Sequence, residues 1–400
     1  METLAEHFSH PHLLQNYSRA PVNFVRGEGM ELIDENGNRY LDFVAGIAVV
    51  ALGHCHPEIT RVISQQAATL VHCSNLYMHE PAGKLANKLA ELSGFDRVFF
   101  CNSGAEANEA AIKLARKHQH RAGHTDKKTI VYCTDSFHGR TLGALAATDS
   151  AKYKEGYDPL PEGFKITPFN DIVLLEKAID EDTAAFIVEP IQGESGVNIA
   201  DREFLQAARV LCDKHGALLI FDEIQCGLGR VGTNFAFEAY DVKPDAFTLA
   251  KSLANGLPIG ALLMRGACAS SLKPGDHGTT FGGSPVPCAA ALRHLELREE
   301  LDLNAHVHRV GARFMGALKS LAEDYPEFFG QPRGMGLMLG LPVKAPEQAQ
   351  AFVDLARDRY LLINAAGHNT LRFIPPLIIT EEHIAEGFSR ISKGVAQLGP

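Results

Sequence analysis

An acid and an amine each follow a short apolar run in the middle of the chain. Asp222 follows residues 217–221 and Lys251 follows residues 246–250. Neither run alternates with polar residues, which is typical of strands buried on both faces. Ligands of open parallel sheets bind beyond the carboxyl ends of the strands, so both side chains are predicted to face one ligand. A cofactor that combines an aldehyde with a basic ring nitrogen fits both.

A third predicted strand, residues 98–101, leads into a helix start. Ser103 and Glu106 have the spacing of a capping box, which needs no ligand. Gly104 would also let an anion approach the free N–H groups of the first turn. The pattern alone favours the cap.

Two more predicted strands, residues 129–133 and 184–188, carry polar residues just beyond their ends. Phe137 and Arg140 follow the first, where they are suited to stack on a flat ring and to clamp a carboxylate, and the acids Glu189 and Glu194 follow the second. Farther along the chain, Arg372 lies inside an apolar run, where a charge is costly unless it is paired. A carboxylate ligand is therefore expected there.

Two other patterns point elsewhere. Residues 227–232 (GLGRVG) match the dinucleotide fingerprint, with Asp245 beyond them, and leave a nicotinamide-dependent oxidoreductase as an alternative. The glycines start five residues after the strand end and no clear crossover helix follows, so we interpret them as a flexible loop. His54, Cys55 and His56 form the nearest approach to a metal cluster, but their setting favours a plain loop, and no metal is expected.

Composition excludes several classes of protein. The chain has 400 residues, 46% hydrophobic and 22% charged, and a net charge of −10, which argues against nucleic acid as a partner. No apolar segment approaches the length of a membrane span. The eight cysteines form no Cys-x-x-Cys pair, and the first ten residues do not resemble a signal peptide. We expect a cytoplasmic enzyme with reduced thiols.

The order of predicted elements indicates two domains. Helix-like stretches alternate with strands from about residue 85 to 265, which is typical of an α/β domain with a largely parallel sheet. Strand-like pieces and two helices, near 345–357 and 381–395, follow the helix 288–300 and describe a smaller α+β domain. We predict an N-terminal segment over 1–60 that packs with the small domain, a large domain over 61–290 and a small domain over 291–400.

Six segments in order resemble the motifs of the class III aminotransferases, which depend on pyridoxal phosphate. They are residues 103–107 (SGAEA), 137–141 (FHGRT), 189–194 (EPIQGE), 222–225 (DEIQ), 250–251 (AK) and 279–283 (TTFGG). The resemblance spans nearly the whole chain. It implies a fold type I enzyme and a homodimer with shared active sites.

The resemblance also assigns residues to pyridoxal phosphate. Lys251 would bind it covalently and move a proton, while Asp222 would keep the ring nitrogen protonated. The other contacts would be Phe137 and Ile224 on the ring faces, Gln225 at the phenolic oxygen, Ser103, Gly104 and Ala105 at the phosphate, and Thr280 from the neighbouring subunit, also at the phosphate.

Within the class, residues 46–49, 53–57 and 225–227 imply that N2-acetyl-L-ornithine gives its ω-amino group to 2-oxoglutarate. The products would be N-acetyl-L-glutamate 5-semialdehyde and L-glutamate, in arginine biosynthesis. Arg140 would hold the α-carboxylate of the donor, with Thr279 from the neighbouring subunit nearby, and Arg372 would hold that of glutamate or 2-oxoglutarate. Glu194 would pair with Arg372 when the ω-amino donor binds and swing away for glutamate.

Several alternatives stay open after the resemblance is taken into account. Succinylornithine, succinyl-diaminopimelate, ornithine and 4-aminobutyrate are other donors, and a scaffold that has lost catalysis is a non-enzymatic alternative. Ser195 and Asn255 stand where the family often has glycine, so their effect on the Glu194 switch and on the lysine loop is open.

Overall fold

The computed structural model describes residues 12–367 and 369–398. Its strands are β1 (Phe24–Glu28), β2 (Glu31–Asp34), β3 (Arg39–Asp42), β4 (Arg97–Cys101), β5 (Thr129–Cys133), β6 (Phe164–Thr167), β7 (Thr183–Val188), β8 (Ile191–Gln192), β9 (Asn198–Ile199), β10 (Leu218–Asp222), β11 (Ala246–Leu249), β12 (Gly260–Met264), β13 (Arg333–Met335), β14 (Met338–Pro342), β15 (Leu361–Leu362), β16 (Asn364–Ala366) and β17 (Thr370–Phe373).

The α-helices lie between these strands and flank them. They are α1 (Pro57–Thr69), α2 (Glu80–Ser93), α3 (Gly104–Arg121), α4 (Leu142–Ala146), α5 (Ala151–Lys154), α6 (Ile172–Ala178), α7 (Arg202–His215), α8 (Ala236–Tyr240), α9 (Pro285–Glu300), α10 (Leu303–Asp324), α11 (Ala349–Arg357) and α12 (Glu381–Leu398). Short 3₁₀ turns cover Lys251–Ala254, Gly266–Ser270 and Pro346–Gln348. The helices near 345–357 and 381–395 are thus present with shifted ends, whereas α10 was not predicted.

A seven-stranded sheet in the order β4-β12-β11-β10-β7-β5-β6 forms the centre of the fold. Only β12 runs antiparallel to its neighbours, β11 and β4. The predicted α/β class with a largely parallel sheet is therefore confirmed. The shared direction of the other strands brings the residues after β4, β5, β7, β10 and β11 to one edge.

Burial on both faces explains why these strands lack alternation. In β7, Phe186 packs into the main hydrophobic cluster, while Ile187 packs into a second cluster on the opposite face with residues of α3. An unbroken apolar run is the expected result. The edge strand β6, with half-buried Lys165 and exposed Ile166, does not have this pattern and was not predicted.

Two smaller sheets involve the chain ends. The order β1-β2-β3-β15 joins the N-terminal hairpin to a strand from the C-terminal part, and β3 pairs with β15 in parallel. The Asn36-Gly37 turn between β2 and β3 is present as predicted, with Gly37 at φ +83°. The other sheet, in the order β13-β14-β17-β16, contains Arg372 in β17. The domain boundaries stay predictions.

A left-handed turn at residues 45–48 precedes the wall of the cavity described below. All four residues have φ between 53° and 67°, a conformation that costs about 1–2 kcal/mol for each residue with a side chain. Asp42 holds the start of the turn, because its Oδ1 accepts the N–H of Ala45 at 2.9 Å and its Oδ2 lies 2.8 Å from Nε2 of His54. The turn leads directly to Val49 at the cavity wall.

The described ranges contain no helix that is both long and apolar enough to cross a membrane. They also contain no group of three or more His, Cys, Asp or Glu residues placed to hold a metal ion.

Candidate active site

The strand ends of the large sheet surround a cavity of about 430 Å³. Ten of the predicted site residues line it, namely Ser103, Gly104, Ala105, Phe137, Arg140, Glu194, Asp222, Ile224, Gln225 and Lys251. Arg372 lies behind two of them. Thr279 and Thr280 are not among the lining residues.

Asp222 forms the floor of the cavity and has several donors. Its Oδ2 lies 2.8 Å from Nδ1 of His138 and accepts the side-chain amide of Asn108 at 2.8 Å. Its Oδ1 accepts the N–H of Ile224 at 3.0 Å. Asn108 is fixed in turn, because its Oδ1 accepts the hydroxyl of Thr248 at 2.9 Å. These contacts fix the orientation of the carboxylate.

The supporting residues below Asp222 were missed by sequence reasoning. Asn108 and Thr248 are fully buried and sit on α3 and β11, outside any motif. His138 is 2% exposed, and its Nε2 is buried without a partner in the described structure. The sequence signal for Asn108 was a polar residue among the alanines of α3.

Lys251 enters the cavity from a strained backbone position. It follows β11 after one residue and has φ +44°. Burial lowers the pKa of its amine, and this effect exceeds that of the nearby Glu194 charge, which raises the pKa. Asn255 holds the end of the same turn, because its Oδ1 accepts the N–H of Leu52 at 2.7 Å and its Nδ2 donates to the Gly53 carbonyl at 3.2 Å. Asn255 therefore ties the lysine loop to the N-terminal segment.

The start of α3 has a modified capping box. Ser103 Oγ accepts the N–H of Glu106 at 3.2 Å, as predicted. The Glu106 carboxylate accepts the N–H of Asn102 at 2.6 Å, so the return bond goes to the residue before the predicted one. The N–H groups of Gly104 and Ala105 have no intrahelical acceptor by position. The cap and a set of anion-binding amides therefore coexist.

Gly104 is required by a close contact across the cavity. A Cβ at this position would lie 2.8 Å from Cδ1 of Ile224. Phe137 is the other predicted ring-stacking residue, and its N–H donates to Oε1 of Glu189 at 2.7 Å. Burial, reinforced by the charge of Asp222, raises the pKa of Glu189 well above its usual range.

Arg372 is the most buried charge at the site, with 1% exposure. Its Nη1 donates to Oε1 of Glu194 at 2.7 Å, to the Gly193 carbonyl at 2.8 Å and to Oε1 of Gln225 at 3.1 Å. Gln225 completes a triangle, since its Nε2 donates to Oε1 of Glu194 at 2.9 Å. Burial alone would raise the pKa of Glu194, but the charges of Arg372 and Lys251 and these hydrogen bonds lower it to about 2.

The backbone of Glu194 is held, so a switch there would involve only the side chain. The Glu194 carbonyl accepts the N–H of Gly367 at 2.7 Å. The Ser195 hydroxyl accepts the side-chain amide of Asn198 at 3.3 Å. Ser195 is thus tied to its own loop, and it forms no hydrogen bond with the Glu194 carboxylate among the described residues.

Arg140 lies at the exposed rim of the cavity. Its Cζ is 3.7 Å from the ring centroid of Tyr153 and 5.6 Å from that of Phe137. No carboxylate of the described residues pairs with it. Tyr153 was not identified from the sequence, because it lies on α5 and outside the motifs.

Thr279 and Thr280 lie beside the cavity on an exposed segment. Thr279 Oγ1 accepts the side-chain amide of Asn102 at 3.1 Å, and its carbonyl accepts that of Asn75 at 3.1 Å. Thr280 is exposed. Thr280 therefore does not contribute to the lining of the cavity in the same chain.

The glycine-rich stretch 227–232 is buried, so its interpretation as a flexible loop was wrong. Arg230 is 2% exposed and donates through Nη1 to the Leu337 carbonyl at 3.1 Å. The glycines precede a long turn and the five-residue helix α8, rather than opening a crossover helix. The dinucleotide fingerprint lacks its structural context.

The sheet, the lysine at its edge and the cavity together define an aminotransferase of fold type I. The family model for aminotransferase class III matches residues 14–395, and the chain belongs to this family. The class predicted from six motifs is thereby confirmed.

Individual relatives cover nearly the whole chain. An acetylornithine aminotransferase of Methanocaldococcus jannaschii is 50% identical over 371 residues, 93% of this chain and 92% of the relative. An acetylornithine aminotransferase of Caldanaerobacter subterraneus subsp. tengcongensis is 45% identical over 97% of this chain and 98% of the relative.

Two solved structures match the fold over nearly the whole chain. The ornithine aminotransferase from Toxoplasma gondii ME49 has a TM-score of 0.95 at 34% identity, covering 100% of this chain and 96% of that one. The N-acetylornithine aminotransferase from Stenotrophomonas maltophilia K279a has a TM-score of 0.84 at 39% identity, covering 98% of each chain.

Proposed function

We propose that this chain is a pyridoxal-phosphate-dependent aminotransferase that moves the ω-amino group of N2-acetyl-L-ornithine to 2-oxoglutarate. The products are N-acetyl-L-glutamate 5-semialdehyde and L-glutamate, and the reaction serves arginine biosynthesis. The names of the relatives at 45–50% identity support the choice of donor. One observation carries the proposal: a buried lysine shares its cavity with an unpaired arginine at the rim and a glutamate that covers a second, buried arginine.

The residues present fit pyridoxal phosphate. The amides of Gly104 and Ala105 at the start of α3 suit a phosphate. Phe137 and Ile224 are suited to the two faces of a flat ring, and the contact of Ile224 with Gly104 leaves no room for a side chain at residue 104. Asp222 is placed to hold a protonated ring nitrogen.

When bound, the cofactor supplies an electrophilic aldehyde and a ring that accepts electron density. Lys251 would hold that aldehyde through its amine. The lowered pKa of Lys251 increases the neutral fraction of the amine, which suits it as nucleophile and as base. Its Nζ would take the proton from the donor carbon that carries the amine and pass it to the cofactor. Asp222 would accept a hydrogen bond from the protonated ring nitrogen.

Binding of the two substrates is divided between the arginines. Arg140 holds the α-carboxylate of acetylornithine at the rim, and the Glu194–Arg372 pair stays closed during this half-reaction. Glutamate and 2-oxoglutarate need Arg372, so Glu194 moves aside for them. Gln225 contacts both Glu194 and Arg372 and is also assigned to the phenolic oxygen of the cofactor. We therefore infer that the movement of Glu194 is coupled to the position of the cofactor ring.

The active form is proposed to be a homodimer in which Thr279 and Thr280 serve the neighbouring site. Thr280 is exposed and stands beside an apolar patch formed by Leu76, Tyr77, Met78 and Phe281, with exposures of 62% or more. A patch of this kind is typical of an interface. The cytoplasmic location stays a prediction.

The test is a comparison of kcat/KM for purified, cofactor-loaded enzyme with 2-oxoglutarate as acceptor. Acetylornithine, succinylornithine, succinyl-diaminopimelate, ornithine and 4-aminobutyrate are the donors. We expect acetylornithine to exceed free ornithine by about tenfold or more, because an ammonium beside Arg140 is disfavoured. Ornithine is the second candidate, given the similarity to the Toxoplasma enzyme, and its preference would overturn the donor assignment.

A further inference from the structure

Arg140 rests on aromatic ring faces and forms no ion pair with the residues that the structure describes. Its guanidinium lies 3.7 Å from the centre of the Tyr153 ring, within the range of a cation–π contact. Phe137 meets Tyr153 edge to face, with centroids 6.0 Å apart and planes at 80°. The three side chains form one cluster at the rim, which we call the rim cluster.

A contact of this kind orients an arginine without using its hydrogen-bonding capacity. The ring occupies the face of the guanidinium, and the N–H donors point outward from its edge. A paired carboxylate would instead neutralise the charge and occupy the donors, as Glu194 does for Arg372. Arg140 therefore keeps its full charge and its donors while its position is restricted.

Tyr153 is itself fixed to the loop that carries Arg140. The Tyr153 N–H donates to the Ser150 carbonyl at 3.1 Å. The preceding residue, Asp149, bonds that loop twice: its Oδ2 accepts the N–H of Asp135 at 2.8 Å, and its N–H donates to the Ser136 carbonyl at 3.0 Å. These bonds tie the short helix α5 to the loop after β5.

We propose that Tyr153 is a positioning residue for the donor carboxylate. Its ring holds Arg140 at the rim in an orientation that accepts a carboxylate at the end of the donor remote from the reacting amine. The inference rests on the proposed function, since it deepens the role of Arg140. Tyr153 does not line the cavity, so it acts through Arg140 and not on the reacting atoms.

The chemistry of the cluster predicts which substituent matters. The aromatic ring is required and the hydroxyl is not, because no hydrogen bond from the Tyr153 hydroxyl to Arg140 is formed among the described residues. Tyr153→Phe should therefore behave like the wild type, and Tyr153→Leu should release Arg140 while keeping an apolar side chain.

The experiment uses the cofactor-loaded enzyme and follows the two half-reactions separately through the cofactor absorbance. For Tyr153→Leu we expect kcat/KM for acetylornithine to fall about three- to tenfold through KM, as an exposed cation–π contact and a freed arginine rotamer suggest. The glutamate half-reaction, which depends on Arg372, should change by less than about twofold, and Tyr153→Phe should match the wild type in both.

A binding measurement separates positioning from turnover. N2-acetyl-L-norvaline has the carboxylate and acetyl group of the donor but no reacting amine, and its Kd is measured by calorimetry. We expect Kd to rise about three- to tenfold in Tyr153→Leu and to stay unchanged in Tyr153→Phe. Unaltered melting temperature and cofactor absorbance of the Leu variant show that it has folded and loaded.

The outcomes distinguish this inference from the proposed function. If Arg140→Ala weakens the donor half-reaction but Tyr153→Leu does not, the role of Tyr153 is overturned and the proposed function stands. Equal losses in both half-reactions, or a loss in Tyr153→Phe equal to that in Tyr153→Leu, also overturn it. If Arg140→Ala leaves the donor half-reaction unchanged, the carboxylate role of Arg140 fails and this inference fails with it.

Discussion

Arg140 and Arg372 serve two ends of one cavity and are held by opposite means. Arg372 is 1% exposed and already has three oxygen acceptors on a single nitrogen, Nη1. Arg140 is exposed at the rim and rests on Tyr153 and Phe137. A charge as buried as that of Arg372 needs an acid or other acceptors around it, whereas an exposed arginine needs only a surface that orients it.

The difference explains how one cavity serves two substrates in the proposed reaction. The buried arginine can be covered by Glu194, because the acid and the arginine stabilise each other when no substrate carboxylate is present. The exposed arginine has no cover and is always available. Selectivity in the cavity therefore depends on Glu194, and affinity for the donor depends on the rim cluster.

Substitution of Asp222 on the cavity floor should slow both half-reactions. Its effect should therefore not distinguish the Arg140 end of the cavity from the Arg372 end. In Asp222→Asn, an NH2 group replaces one carboxylate oxygen. This group donates hydrogen bonds, so it would face the donors of Asn108 and His138 or the donor of the ring nitrogen. We expect kcat to fall about 100- to 1,000-fold with either substrate. Asp213→Asn, at an exposed acid on α7, is the matched control. A loss confined to one half-reaction would contradict the role of Asp222.

Removal of the buried arginine should affect one half-reaction and the stability of the fold. Arg372→Ala leaves Glu194 without its cation, so we expect the free energy of unfolding to fall by about 3 kcal/mol. The glutamate half-reaction should lose about 100-fold in kcat/KM, since a charge-assisted contact worth about 3 kcal/mol is lost. Arg313→Ala, at a side chain 71% exposed, is the control and should stay near the wild type in urea unfolding. An unchanged glutamate half-reaction would contradict the assignment.

Removal of the exposed arginine should affect the other half-reaction and leave stability unchanged. For Arg140→Ala we expect kcat/KM for acetylornithine to fall about 10- to 100-fold. The free energy of unfolding should change by no more than about 0.5 kcal/mol, because the side chain is at the surface. Arg140→Lys keeps the charge but lacks the paired N–H donors of the guanidinium. Its kcat/KM should lie between those of the wild type and Arg140→Ala. A large loss of stability would show that the comparison between the two arginines is wrong.

The smallest expected effect concerns the pH dependence of the Glu194–Arg372 pair. The folded-state pKa of Glu194 is about 2, below its ordinary value of 4.5. The stabilisation from the ionised acid is therefore complete above about pH 4.5 and decreases as the pH falls toward 2. Melting temperatures of wild type and Glu194→Gln should differ by a constant amount from pH 5 to 8 and converge below pH 4.5. A difference that changes between pH 6 and 8 would contradict this.

The large sheet was predictable because its central strands are buried on both faces. Residues 217–221 and 246–250 read as strands, and they end within one residue of the observed β10 and β11. Strand β6 was missed because it lies at the edge and exposes Ile166. The stretch 227–232 was misjudged as flexible, since glycine content does not reveal that Arg230 is enclosed by backbone carbonyls.

The residues that contact the cavity were predictable from motifs, and those that support them were not. Asp222 ends β10, Lys251 follows β11 and Arg140 lies on the loop after β5, positions that the sequence reveals. Asn108 reaches Asp222 because α3 packs against β10 and β11, and Tyr153 reaches Arg140 because α5 packs beside the loop after β5. Both contacts depend on the packing of elements that are separate in sequence.

The central claim is that Lys251 binds pyridoxal phosphate at the edge of this sheet. Borohydride reduction of the cofactor-loaded enzyme, followed by digestion and mass spectrometry, locates the attachment. The account predicts a phosphopyridoxyl group on the peptide that contains Lys251 and none on exposed lysines such as Lys273. An unmodified Lys251, with the label elsewhere or absent, would contradict it.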